Sequence, residues 1–240
     1  MGARDRRSGQ DVRSGHGGVR SLAIASAGVA AVAVARRRYL QWGSSAAELA
    51  IALPGDELVP NANISATRAI SIATTADAVW PWVAQLGQGR GGFYSYDFLE
   101  NLVVCDIQSA EQVVPKWQSI AVGDEVRLHP EVGLSVAVLD PGSALVLRGG
   151  IPMGSVEPPY DFTWAFVLHA QENGTTRLVV RERYRYTRWW SGLLVEPVQL
   201  ISFVMSERML RGIKRRAELD RSGLTSPISK ESGRLPSGRS

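Results

Sequence analysis

The sequence predicts an α+β domain in which a run of antiparallel strands is covered by one long C-terminal helix. Three features carry that expectation. Five apolar segments lie between Glu125 and Thr187 with turn signals between them, and the last two flank Glu172-Asn173-Gly174, a hairpin connection. The final segment, Thr175–Thr187, alternates sharply: Arg177, Arg181, Arg183 and Arg185 share one face with Val179, while Leu178, Val180, Glu182, Tyr184 and Tyr186 share the other. A strand so two-faced needs a cover. The helix opening at Glu196-Pro197 supplies one, with Val198, Ile201, Met205, Met209 and Ile213 recurring at helical spacing as a core-facing stripe.

Taken in order, the chain begins with a Gly-, Ser- and Arg-rich stretch over residues 1–20 that has little to bury and is expected to be disordered. Residues 21–38 follow as a hydrophobic helix. Ser21–Ala35 carries no charge and is closed by Arg36, Arg37 and Arg38. Fifteen helical residues cover about 22 Å, short of the roughly 30 Å hydrocarbon core. Three readings stay open. A single-pass anchor works if Arg20 and Arg36 snorkel and Tyr39 and Trp42 sit at the interface, which places the protein at the cell membrane. An Ala-rich surface helix is the second. A cleaved leader is the third, with Ala33-Val34-Ala35 as its small-residue site, although three arginines directly after that site argue against cleavage.

Residues 39–65 read as a linker with a short helix, begun by the capping-box pattern Ser45-Ala46-Ala47-Glu48 and ended by Pro54-Gly55. The folded domain is expected over 66–220. Ala66–Ala73 reads as a strand with Ile70 and Ile72 on one face, and Thr74–Asp77 as the start of a helix in which Pro81 forces a kink or restart near Trp80. Gly87–Leu102 packs four glycines, Phe93, Tyr94, Tyr96 and an isolated Arg90, a composition suited to the mouth of a pocket. A helix is expected near Asp97–Val104. The strands are then Glu125–His129, Leu134–Leu139, Ala144–Arg148, Asp161–Ala170 and Thr175–Thr187, with the Gly/Pro-rich gap 149–160 as a second candidate rim. Parity turns Phe162, Trp164, Phe166 and Leu168 inward beside Glu182. From Arg221 onward the Ser/Gly/Pro-rich end is a tail, so residues 221–240 close the chain outside the domain.

Charge narrows the function classes. The formal balance of +4 divides into +6 over residues 1–38, +2 over 222–240 and −4 over the rest. A nucleic-acid-binding domain concentrates positive charge on its folded part, so no nucleic-acid partner is expected. Cys105 is the only cysteine, which excludes an internal disulfide and a cysteine-built zinc site. His129 and His169 have no third ligand at metal-like spacing, so no metal is expected. Gly87, Gly89 and Gly92 satisfy G-x-G-x-x-G literally, but they follow a helix and not a strand, so no nucleotide cofactor is expected either.

The stretches Val79–Leu102, Val113–Leu128 and Glu207–Glu218, set in the order strand, helices, antiparallel strands, long helix, resemble the SRPBCC superfamily over about Ala66–Leu219. That superfamily includes START lipid-transfer domains, pollen-allergen-like carriers and polyketide cyclase/dehydrase-like proteins, and the resemblance is to its bacterial members. It implies the helix-grip fold, a curved sheet wrapped around the C-terminal helix with a deep apolar cavity between them. It hands over no catalytic residues. The candidate ligand-binding residues are Trp80, Phe93, Tyr94, Tyr96, Trp117, Trp164, Glu182, Tyr184, Met205 and Met209. Glu182 is the acid that parity sends indoors, as a ligand-orienting group, a base, or a structural partner of Arg90 or a tyrosine. Three functions follow: a membrane-tethered binder or carrier of a hydrophobic small molecule or lipid, a cyclase- or dehydratase-type enzyme using Glu182 and a tyrosine, and a module whose basic helix end and arginine strand meet an acidic partner or an anionic membrane.

Overall fold

A computed structural model of the chain describes residues 15–95, 108–150 and 157–221. The expected helix near 97–104, together with Tyr96 and Cys105, lies outside the described residues, as do 151–156 of the second candidate rim. The chain forms two units, residues 1–39 and 40–240. In the first, helix α1 runs Gly15–Leu40, starting inside the stretch expected to be disordered. No helix among the described residues is long and apolar enough to cross a membrane, so the expected span is not supported.

In the second unit six antiparallel strands form one sheet: β1 (Ile64–Ile72), β2 (Glu125–His129), β3 (Val132–Asp140), β4 (Ala144–Gly149), β5 (Tyr160–Ala170) and β6 (Thr176–Tyr186). Their order across the sheet is β1-β6-β5-β4-β3-β2, so the first strand returns to lie beside the last. Irregular registers at Arg127/His129 and Val136/Val138 add local twist to the β2–β3–β4 side. The sheet curves, and helices α3 (Ala76–Ala84) and α4 (Ser191–Arg221) cover its concave face. This is the helix-grip arrangement. Pro81 is accommodated inside α3, which continues to Ala84.

The convex face has a cover of its own. Residues expected to be a linker pack beneath the sheet, where Leu53 joins Ala69, Ala144, Val167 and Val179 in one buried apolar cluster. The apolar second face of β5 is therefore core as well. Ser45 caps α2 (Ala46–Ala50) reciprocally: its hydroxyl accepts from the Glu48 amide at 3.2 Å and its amide donates to Glu48 Oε2 at 2.6 Å. The arginine face of β6 meets this layer. Arg177 pairs with Glu48 at 2.6 Å, Arg181 with Asp56 at 2.6 Å, and Arg183 with Asp56 at 3.6 Å.

Hydrogen bonds from Arg177, opposed in part by burial, hold the Glu48 carboxyl down from 4.5 to about 2. A depressed folded-state pKa stabilises the fold fully above the unfolded value and loses that contribution as pH falls through the folded one. Glu48→Gln is therefore expected to be less stable than the parent at neutral pH, with the two proteins converging between about pH 4.5 and 2. Chemical denaturation across that window checks it, and parallel curves would mean that Glu48 does not carry the acid sensitivity.

Helix α4 departs from expectation in both start and orientation. It begins at Ser191, and Pro197 lies inside it. The buried face includes Val195, Gln199, Ser206, Met209, Leu210, Ile213 and Ala217, while Val198 and Ile201 of the expected stripe are exposed. The reason is what the first half of the helix faces: a buried ion pair, which wants hydroxyls and amides opposite it.

Candidate functional site

The concave interior is built where β1, β6 and β5 pass under the first half of α4. Arg68 on β1 is fully buried, and its Nη1 donates to Glu182 Oε1 at 2.6 Å. The pairing expected with Arg90 does not occur. Arg90 instead donates to the Ala84 carbonyl at 2.9 Å and to that of Trp117, tying the glycine-rich loop to its neighbours. Ser202 reaches both Glu182 oxygens, at 2.9 and 2.7 Å, and Ser206 donates to Oε1 at 3.0 Å. The Tyr184 hydroxyl donates to Oε2 at 3.3 Å. Burial, and then the neighbouring Glu182 charge, push the Tyr184 phenol upward, so it stays a neutral donor. Every lone pair of Glu182 that faces a donor is committed.

Around this polar knot stand aromatic rings. Phe162 lies 4.6 Å from Tyr184, Tyr160 5.6 Å from it, Trp164 4.8 Å from Phe166, and Phe93 stacks on Trp164 at 6.0 Å. The strand register sets Trp164 directly across from Glu182 and Phe162 across from Tyr184. Two polar side chains in this wall lack a hydrogen bond of good geometry. The Trp164 indole N–H and both amide atoms of the fully buried Gln199 make no hydrogen bond among the described residues. Gln199 approaches the Tyr184 phenol closely enough to oppose the upward push on it, without completing a bond of acceptable geometry.

The other sequence candidates are placed elsewhere. Tyr94 turns into the fold: its hydroxyl donates to the Trp82 carbonyl at 3.1 Å and accepts from Gln85 at 2.9 Å, and Arg216 of α4 lies 4.8 Å over its ring. Burial pushes this phenol up too. Helix and loop meet so closely that a Cβ on Gly212 would stand 2.3 Å from the Tyr94 carbonyl oxygen. Met209 is buried on the inner face of α4, Met205 is half-buried with its carbonyl accepting from Ser95, and Trp80 is half-buried on α3. Trp117 lines an open recess of about 460 Å³ with Arg90. A second recess, of about 210 Å³, is polar and basic, bounded by Tyr94, Ser109, Glu111 and the arginines of α4's C-terminal half. Neither recess is lined by the sheet. No group able to hold a metal ion occurs among the described residues.

Sequence reasoning missed Arg68, Gln199, Ser202 and Ser206. For Arg68 a signal existed, because it has the parity of Ile70 and Ile72 and so sits on the apolar face of β1.

No protein-family model matches the chain, and no curated protein matches it. Solved structures that are similar include a protein of Mesorhizobium loti, 13% identical, spanning 65% of this chain and 98% of its own at a TM-score of 0.38. A Polyketide_cyc-like protein of Corynebacterium glutamicum is 15% identical, over 67% of this chain and 95% of its own, with a TM-score of 0.38. Norcoclaurine synthase of Thalictrum flavum, in complex with dopamine and hydroxybenzaldehyde, is 12% identical over 63% and 84%, with a TM-score of 0.39.

Proposed function

We propose that the protein binds a small molecule with an apolar body and a hydrogen-bonding group in the interior between the sheet and α4. One observation carries the reading: the amide of Gln199 and the indole N–H of Trp164 are buried and complete no hydrogen bond of good geometry among the described residues, beside the rings of Phe93, Phe162 and Tyr184. Unpaired buried polar groups cost about 1–3 kcal/mol each, and a ligand that supplies their partners recovers it. Phe93, Phe162, Trp164 and Tyr184 offer the apolar contact, and Gln199 offers a donor and an acceptor for a carbonyl, hydroxyl or amide.

A base role for Glu182 draws no support from its surroundings. Arg68, Ser202, Ser206 and Tyr184 already occupy the carboxylate, and its charge balances a buried guanidinium. The reading is therefore of a binder. Protein isolated from its host under native conditions is expected to carry an apolar molecule visible by mass spectrometry, and Gln199→Leu is expected to release it or weaken its retention tenfold or more. An occupied Gln199→Leu protein with unchanged affinity would take Gln199 out of the site. A parent protein that stays empty and binds no apolar probe such as an anilinonaphthalene sulfonate would remove the reading altogether.

A further inference from the structure

The outward face of α4 is apolar where a surface helix should be polar. Leu193, Leu200, Ile201 and Val204 are exposed and lie on one stripe, and Trp189 stands 92% exposed in the turn that leads into the helix. Further along the same stripe come Arg208, Arg211 and Arg215, all exposed. The inner face of that first half carries polar side chains, since Ser202 and Ser206 serve the ion pair beneath and Gln199 is buried on the same face. The usual division of a surface helix is thus reversed from Ser191 to about Val204. Isolated exposed apolar residues need no explanation, but a stripe over about three turns marks a docking surface.

We propose that this stripe docks on the surface of an anionic lipid bilayer. The order along the helix chooses the occupant. In a two-fold pairing of copies, equivalent patches meet each other. Parallel pairing along this stripe would oppose arginine to arginine, and antiparallel pairing would set each arginine half against the partner's apolar half. A bilayer accepts both halves at once. Leucine, isoleucine, valine and the indole enter the boundary of headgroups and acyl chains, and the arginines stay among anionic headgroups. Leu193 to Arg215 spans about 33 Å of helix, long enough for one end to dip while the other remains at the surface. The docking stands independently of the ligand proposed above, because it uses the opposite face of α4. An empty interior leaves it intact.

The test uses the full chain and floats it with phosphatidylcholine vesicles and with vesicles of equal parts phosphatidylcholine and phosphatidylglycerol. Three proteins are compared: the parent, Leu200→Ser/Ile201→Ser, and Arg211→Gln/Arg215→Gln, all altered at exposed positions. The parent is expected to float with the anionic vesicles, at least tenfold less with neutral ones, and less as salt is raised. The serine pair is expected to lower partitioning tenfold or more on both vesicles, and the glutamine pair to lower it on anionic vesicles alone. Equal flotation of the parent and the serine pair would overturn the proposal by assigning attachment to another segment, such as α1. A parent that does not float, or one that self-associates through these residues without floating, would overturn it equally.

Discussion

Arg68→Met is expected to lower the free energy of unfolding by about 3–5 kcal/mol, read from the midpoint of a urea titration. Glu182 would lose its counter-charge in the interior, with only the hydroxyls of Ser202, Ser206 and Tyr184 beside it. The side chains of the pair are 0% and 3% exposed, so water does not reach the site to compensate. Glu182→Leu is expected to cost a similar amount, because it strands Arg68, whose remaining contacts include Ser206 at 3.3 Å and the ring of Phe203 at 5.9 Å. The double variant Arg68→Met/Glu182→Leu distinguishes the causes. Removing both charges removes the penalty for isolating either, so the double variant is expected to be more stable than each single one. Single losses below about 1 kcal/mol would show that the pair is hydrated, and a double loss equal to the sum of the two would show that no coupling exists.

The same cycle bears on the proposed ligand. If the pair only organises the wall, Gln199 and the aromatic rings keep their places in the double variant and an apolar probe still binds.

How much of this was legible in the sequence depends on whether a residue's neighbours are local. The strands were legible because alternation and turn signals are local: Asn173-Gly174 closes β5 on β6, and the parity of Phe162, Trp164 and Glu182 holds in the register. Parity also required that the arginine face of β6 be wet or meet acid. It could not say that Glu48, Asp56 and Asp161 are the acids, because two of them belong to the segment expected to be a linker outside the domain. The first part of the stripe on α4 was misread for a related reason, while Met209 and Ile213 do face in. Hydrophobicity marks a buried face only when what it covers is apolar. Here α4 covers an ion pair, so Gln199, Ser202 and Ser206 face in, and Val198 and Ile201 face out. The ion pair itself needed both halves to be noticed, and Arg68 lies 114 positions from Glu182.

Arg181→Met tests whether the convex cover belongs to the fold. Arg181 and Arg185 lie on one strand and one face, and each pairs with an aspartate. They differ in surroundings. The Arg181 side chain is 3% exposed; it donates to Thr67 Oγ1, to the carbonyls of Ile51 and Glu48, and to Asp56, with distances of 2.6–2.9 Å. Arg185 and Asp161 remain 43% and 31% exposed. Arg181→Met is therefore expected to cost about 3–5 kcal/mol, and Arg185→Met under about 1 kcal/mol. The larger loss comes from three stranded acceptors as well as Asp56, which retains Arg183 at 3.6 Å. Because those carbonyls lie in α2 and at its C-terminal end, Arg181→Met should also open that segment to proteolysis while β5 and β6 keep their slow amide exchange. Equal costs at the two arginines, or uniform loss of protection across the sheet, would mean that residues 40–59 fold with the sheet as one unit and that Arg181 is not what fastens them.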